Sequence, residues 1–222
     1  MMKTTLRLLV LAAVLAWAWF DTASPGPPPA LPPAEEVVEE WAQRLITAAE
    51  ARVGRTRLYD PSYVALEYPG GDVASDRGVC TDVVIRAYRD GLGIDLQERI
   101  HEDMAASFAA YPKTWGLRRP DRNIDHRRVP NLETFFERRG AALPVTQQAE
   151  DYRPGDLVTQ RLPGNLPHIA IVTRHRSSDG QRPLVVHNIG AGTRLEDALF
   201  AFPIHRHFRF SGERAAASTT EK

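Results

Sequence analysis

The sequence predicts an α+β domain in which N-terminal helices pack on an antiparallel β-sheet. Three observations point to it. Apolar residues in the first half recur at helical spacing, beginning with Val37, Val38, Trp41, Leu45 and Ile46. Beyond residue 150 the period changes to short β-rich runs separated by turn residues. The 222 residues, 43% of them apolar, are enough for one domain with a real core plus appendages. Helices first and strands afterwards, with no internal repeat, is an α+β order.

The elements follow in turn. Residues 34–53 read as a helix, with Glu35, Glu36 and Glu39 at the end where the helix dipole favours acids. Residues 58–68 read as a short extended region, with turn residues at Asp60-Pro61 and Pro69-Gly70-Gly71-Asp72. Residues 80–89 read as a helix ended by Gly91 and Gly93, residues 96–110 as a second, ending before Pro112, and residues 130–139 as a third, with Gly140 just past it. Strands are expected at 156–161, 168–174, 184–187 and 205–210, together forming an antiparallel meander. Pro163-Gly164-Asn165 and Ser177-Ser178-Asp179-Gly180 mark the breaks. Trp115, Phe135, Phe136 and Tyr152 are expected in the core.

The termini read differently. Lys3 and Arg7 precede an apolar run over residues 8–20, shorter than the roughly 20 residues of a bilayer span. Residues 1–23 therefore read as a signal peptide or an N-terminal anchor, and the protein as exported: periplasmic, or anchored to the membrane through this segment only. The proline-rich residues 24–33 read as an extended linker, residues 34–211 as the domain, and residues 212–222 as a disordered tail. Lys+Arg and Asp+Glu both count 28, and this balance argues against a general nucleic-acid binder.

Cys80 is the only cysteine. In an exported chain it has no internal disulfide partner, so it is either a small buried hydrophobe or a thiol kept for its chemistry. A thiol becomes a nucleophile as thiolate, and a helix N-terminus and a neighbouring imidazole both lower its pKa. Cys80 opens a helical pattern, whose first amides are also a candidate oxyanion hole. His168 opens a strand and is the candidate general base, expected within hydrogen-bonding reach of the sulfur. His187 closes the next strand, so a hairpin brings it beside His168 as orienter, with Asn188 as the fallback. Asp82, in the first turn after Cys80, is expected to complement the helix dipole rather than to pair with an arginine. The run Asp125-His126-Arg127-Arg128 reads as a solvated loop with salt bridges, or as a clamp for a substrate carboxylate built on the arginine fork. His205 and His207 share a strand face but have no third ligand nearby, so no metal and no cofactor is assigned.

Asp151-Tyr152-Arg153-Pro154-Gly155-Asp156-Leu157-Val158, then His168-Ile169-Ala170-Ile171-Val172, then Val185-Val186-His187-Asn188, resembles the back half of the NlpC/P60-type papain-like cysteine peptidases. Over about residues 56–210 the chain is similar to the DUF1287 family of exported bacterial proteins. Asp76-Arg77-Gly78-Val79-Cys80-Thr81-Asp82, Ile124-Asp125-His126-Arg127-Arg128-Val129-Pro130-Asn131 and Pro154-Gly155-Asp156 carry that likeness. The chain differs from the usual NlpC/P60 pattern in Thr81-Asp82 after the cysteine and in an insert over residues 112–150, long enough to build or block a cleft. The resemblance implies a papain-like fold, a catalytic set of Cys80, His168 and His187, and a peptidoglycan-type peptide amide as substrate. Acyl transfer, a non-catalytic envelope-binding module on the same scaffold, and a metal site made from Cys80 and histidines remain the alternatives.

Overall fold

A computed structural model of the chain describes residues 38–212. The signal or anchor segment, the proline-rich linker and residues 213–222 of the tail lie outside the described residues. No helix among the described residues is long and apolar enough to cross a membrane.

The α+β architecture is as the residue pattern predicts: four helices packed against a six-stranded antiparallel sheet. The helices are α1 (Glu40–Glu50), α2 (Cys80–Leu92), α3 (Leu96–Ser107) and α4 (Val129–Arg138). A two-residue parallel pair, β1 (Leu58–Tyr59) with β2 (Arg77–Gly78), leads into α2. The main sheet comprises β3 (Ala142–Leu143), β4 (Leu157–Leu162), β5 (Leu166–Arg176), β6 (Pro183–Asn188), β7 (Thr193–Glu196) and β8 (Ile204–Phe208). Its order is β3-β8-β4-β5-β6-β7.

The core explains the helices. Leu45 and Ala49 of α1, Val83, Val84, Ala87 and Tyr88 of α2, Ile100 of α3, and Leu132, Phe135 and Phe136 of α4 converge on Leu157, Ile169, Ile171, Val186 and Phe208 of the sheet. Burying a side chain of this size stabilises by about 1.5–3 kcal/mol. The opposite sheet face carries a smaller cluster: Val158, Ala170, Val172 and Val185 under Tyr152, Ala198 and Leu199. Alternation along β5 therefore sends Ile169 and Ile171 to the helices, and Ala170 and Val172 to the other side.

Several expectations need correction. Helix α1 starts only at Glu40, with Val38 and Glu39 non-helical; Glu39 stands at the N-cap, and its carboxylate accepts from the Trp41 indole instead of closing a cap. Helix α2 continues through Gly91 to Leu92, and Gly93 alone ends it in the left-handed conformation. Gly91 is there for contact: a Cβ on it would sit 2.7 Å from the Arg44 carbonyl oxygen of α1. Residues 60–68 are irregular rather than extended into a sheet. The strands are not a simple meander either. β4 to β7 run in sequence, but β8 returns to pair with β4 on its other side. That return buries Phe208 against Phe136. The short strand β7 was not anticipated. Phe135, Phe136 and Tyr152 are core residues as expected, whereas Trp115 is 37% exposed.

Asp156, in the Pro154-Gly155-Asp156 segment, is fully buried and ties β8 to β4. Its carboxylate accepts from His207 Nε2 at 2.7 Å and from Arg209 Nε at 2.7 Å, and from the Arg153 amide. His207 thus has a structural partner, and no group of three metal-ligating side chains occurs among the described residues.

Candidate functional site

The site begins with the turn before α2. Gly78 has φ +152°, and a Cβ on it would meet the Asp82 side chain at 2.9 Å. This turn lets the Asp82 carboxylate reach back to the Val79 amide at 2.7 Å. Asp82 is also gripped by Arg127, whose Nε and Nη2 both donate to it at 3.0 Å. Arg127 Nη2 and Nη1 also donate to the carbonyls of Asp60 and Ser62. Both side chains are nearly sealed from water. The expectation that Asp82 merely complements the dipole is therefore corrected: it holds a buried ion pair that locks the start of α2 to the 125–128 turn. The reading of that turn as solvated is corrected too. Asp125, His126 and Arg127 are all buried, because the 3-10 turn packs among α2, α3 and α4. Asp125 accepts from the Asp121 amide and faces His101 Nδ1, and burial raises its carboxyl pKa. Arg127 also lines the cleft, but its contacts to Asp82 and the two carbonyls spend most of its fork on the fold.

Cys80 is 4% exposed and lies at the floor of a cleft of about 200 Å³. Tyr59, Val79, Trp115, Arg128, Val129 and Pro167 are among the residues lining it. The insert thus builds one wall of the cleft instead of filling it. The sulfur rests against the backbone amide of Ile169, the residue after His168. Burial pushes the thiol pKa up to about 11, and the Asp82 carboxylate adds to the rise. The amides of Ile169, Thr81 and Cys80 pull the other way and are outweighed. The expected lowering by the helix N-terminus is therefore reversed, because desolvation of a thiolate exceeds what a few amide dipoles return.

His168 and His187 meet as the hairpin requires: His168 Nε2 lies 2.9 Å from His187 Nδ1. His187 Nε2 in turn lies 3.0 Å from Glu196 Oε2. Glu196, on β7, is the member that reading the sequence missed. The Gly190-Ala191-Gly192 turn followed by the alternating Thr193-Arg194-Leu195-Glu196 was the available signal. Asn188 does not share this line; its amide donates to the Gly78 carbonyl at 2.9 Å and braces the turn before Cys80. His168 pairs across β4 with Gln160, whose amide bonds the Ala198 and Leu199 carbonyls, so both side chains stand on the face opposite the helices. The expected hydrogen bond between Cys80 and His168 is therefore corrected: none joins them among the described residues, because strand alternation turns His168 away from the helices. The sulfur and the imidazole instead flank one backbone position of β5.

The tautomers follow from the chain of bonds. The Glu196 carboxylate only accepts, so His187 carries its proton on Nε2 and accepts at Nδ1. His168 must then donate from Nε2, which leaves its Nδ1 unprotonated. Burial, and then the neighbouring His187, bring the His168 pKa down to about 3, so the ring is neutral at pH 7. His126 behaves alike: burial, then Arg127, lowers its pKa to about 3. Both rings therefore refuse protons that the unfolded chain accepts below about pH 6.5. Unfolding free energy is expected to fall as pH drops from 7 to 5, by at most about 1.4 kcal/mol per pH unit for each histidine. Urea titrations at the two pH values check this. His126→Leu should make the fall shallower, and an unchanged fall would show that His126 does not contribute.

The sequence profile described as a domain of unknown function, DUF1287, matches residues 46–210. The chain is also 47% identical over 209 residues to "Uncharacterized protein YijF" of Escherichia coli (strain K12), an alignment covering 94% of this chain and 98% of that protein.

Proposed function

Taking the chain as a member of the DUF1287 family, to which it belongs, we propose that it is an exported cysteine hydrolase with a papain-like, NlpC/P60-related arrangement. Its substrate is a peptidoglycan-type peptide amide, met in the periplasm. What supports this reading is a Glu196–His187–His168 relay on β5 to β7 together with Cys80 at the start of α2 against the Ile169 amide. The ring and the sulfur lie on opposite faces of β5, so the reading requires His168 to be brought round to the cleft when substrate binds.

Cys80 is the nucleophile, His168 the base and His187 its orienter. With His168 brought to the cleft side, the sulfur's proton passes to its imidazole as the sulfur bonds to the amide carbonyl carbon. The imidazolium returns that proton to the departing amine, and a thioester remains. Water then adds at the same carbon, gives a proton to His168, and the thiol leaves with that proton. An amine in place of water turns the same sequence into acyl transfer. The amides of Cys80 and Thr81, at the start of α2, are the candidate oxyanion donors. Because the resting thiol is protonated, proton transfer accompanies attack rather than preceding it.

Turnover of purified wall peptides by the full chain and by Cys80→Ala is the test. A companion variant probes the relay. Glu196→Gln offers His187 an amide in place of a carboxylate and releases both tautomers. It is expected to lower kcat on the order of ten-fold, a fraction of the about 10²–10⁴ that general acid–base catalysis supplies. KM should stay unchanged, and steady-state kinetics that show kcat unaltered would remove Glu196 from the relay.

The enclosed thiol and the opposite-face placement of His168 favour a second reading, a non-catalytic envelope-binding module on the same scaffold. In that case the full chain binds wall peptides without consuming them.

A further inference from the structure

Two adjacent arginines, Arg127 and Arg128, line the cleft beside Cys80. Arg127 is consumed by Asp82 and two carbonyls. Its neighbour Arg128 carries no ion pair or side-chain hydrogen bond among the described residues. Arg128 instead lies flat against Trp115, its guanidinium carbon 4.1 Å from the ring centroid, and both residues line the cleft. Stacking holds the planar fork in place while leaving its N–H edges open, the arrangement that suits bidentate capture of a carboxylate.

The backbone around it adds to the same field. Val79 and Cys80 bring the N-terminus of α2 to the cleft, and Val129 and Pro130 bring that of α4. Both helix ends favour an anion. The nearby acids are already engaged. Asp82 is paired with Arg127. Asp125 accepts from the Asp121 amide. Asp121 accepts from Tyr63 Oη and the Asn123 amide. The cleft therefore presents a guanidinium with no direct ion pair, balanced only through space by Asp125 and Asp121, in a pocket that Cys80 also lines.

We propose that this cleft selects a carboxylate-bearing peptide, the carboxylate being held by Arg128 on its Trp115 platform, so that Arg128 is the residue that sets substrate class. This rests on the cleft being the substrate site of the hydrolase reading, but it is measured without turnover. The probe is a pair of short peptides identical except for Glu or Gln beside the scissile amide, titrated into the full-length Cys80→Ala protein by calorimetry. The Glu peptide should bind at least ten-fold more tightly than the Gln peptide, and the difference should shrink with added salt. Arg128→Met in the same background should erase the difference, and Arg128→Lys should restore only part of it, because a point charge lacks the fork. The peptide pair needs no second variant to be informative. Equal affinity for both peptides, or binding of neither, overturns the proposal. The two readings fail separately: wild-type protein that binds the Glu peptide selectively but never cleaves it ends the hydrolase reading alone, whereas equally fast cleavage of both peptides ends the assignment of Arg128 alone.

Discussion

Replacing Cys80 by alanine is expected to lower hydrolysis of purified wall peptides by at least about 10³-fold, because removing one member of a unit that attacks, accepts and returns a proton removes the unit's whole contribution. The fold should survive the change, since the side chain loses one buried atom at the edge of an open cleft. Far-UV circular dichroism and the urea midpoint check that. The pH behaviour sharpens the test. With the thiol pKa pushed up to about 11, alkylation of Cys80 in the free protein should be slow at pH 7 and quicken as pH approaches 11. With the His168 pKa near 3, the base is already available across pH 5–8, so turnover should show no acidic limb from that ring in this range. Wild-type and Cys80→Ala proteins that process wall peptides equally would remove Cys80 from the chemistry. If the wild type binds those peptides but turns none over, the binding-module reading replaces the hydrolase.

Arg127→Met is expected to cost about 3–5 kcal/mol of stability, the range for breaking a buried ion pair from one side. The reason lies in what is left behind. Asp82 is almost fully enclosed, and its carboxylate would keep the Val79 amide as a donor but lose both guanidinium contacts. The carbonyls of Asp60 and Ser62 would lose their donors in the same step. The double variant Asp82→Asn/Arg127→Met should be less destabilised than the sum of the single changes, because it leaves no unpaired charge. Urea unfolding of the three proteins measures both quantities, and a loss below about 1 kcal/mol for Arg127→Met would show that the pair does not lock the start of α2. This ion pair also has a functional consequence. It fixes the turn from which Arg128 projects, so the structural arginine places the one left free for the cleft.

The four helices were legible in the residues because their stripes are local. Val83, Val84 and Ala87, or Leu132, Phe135 and Phe136, lie within two turns of each other and need no distant partner to be recognised. The hairpin that joins His168 to His187 was legible for a similar reason: two β-rich runs with a turn between them fix which ends meet. Glu196 was not, because β7 is four residues long, two of them charged, and earns strand status only by pairing with β6. Gly91 misled for the opposite reason: a residue that ends isolated helices is here a point of contact with α1.

The sequence by itself determined the fold class, the position of Cys80 at a helix start and the meeting of the two histidines, since all three depend on spacing along the chain. Only the tertiary structure decided the protonation of the thiol, the partner of Asp82 and which of two adjacent cleft arginines is spent in an ion pair. Those depend on solvent exclusion and on groups brought together across the fold, Asp82 and Arg127 from 45 residues apart. Desolvation is a property of the enclosed space, and no single stretch of residues carries it.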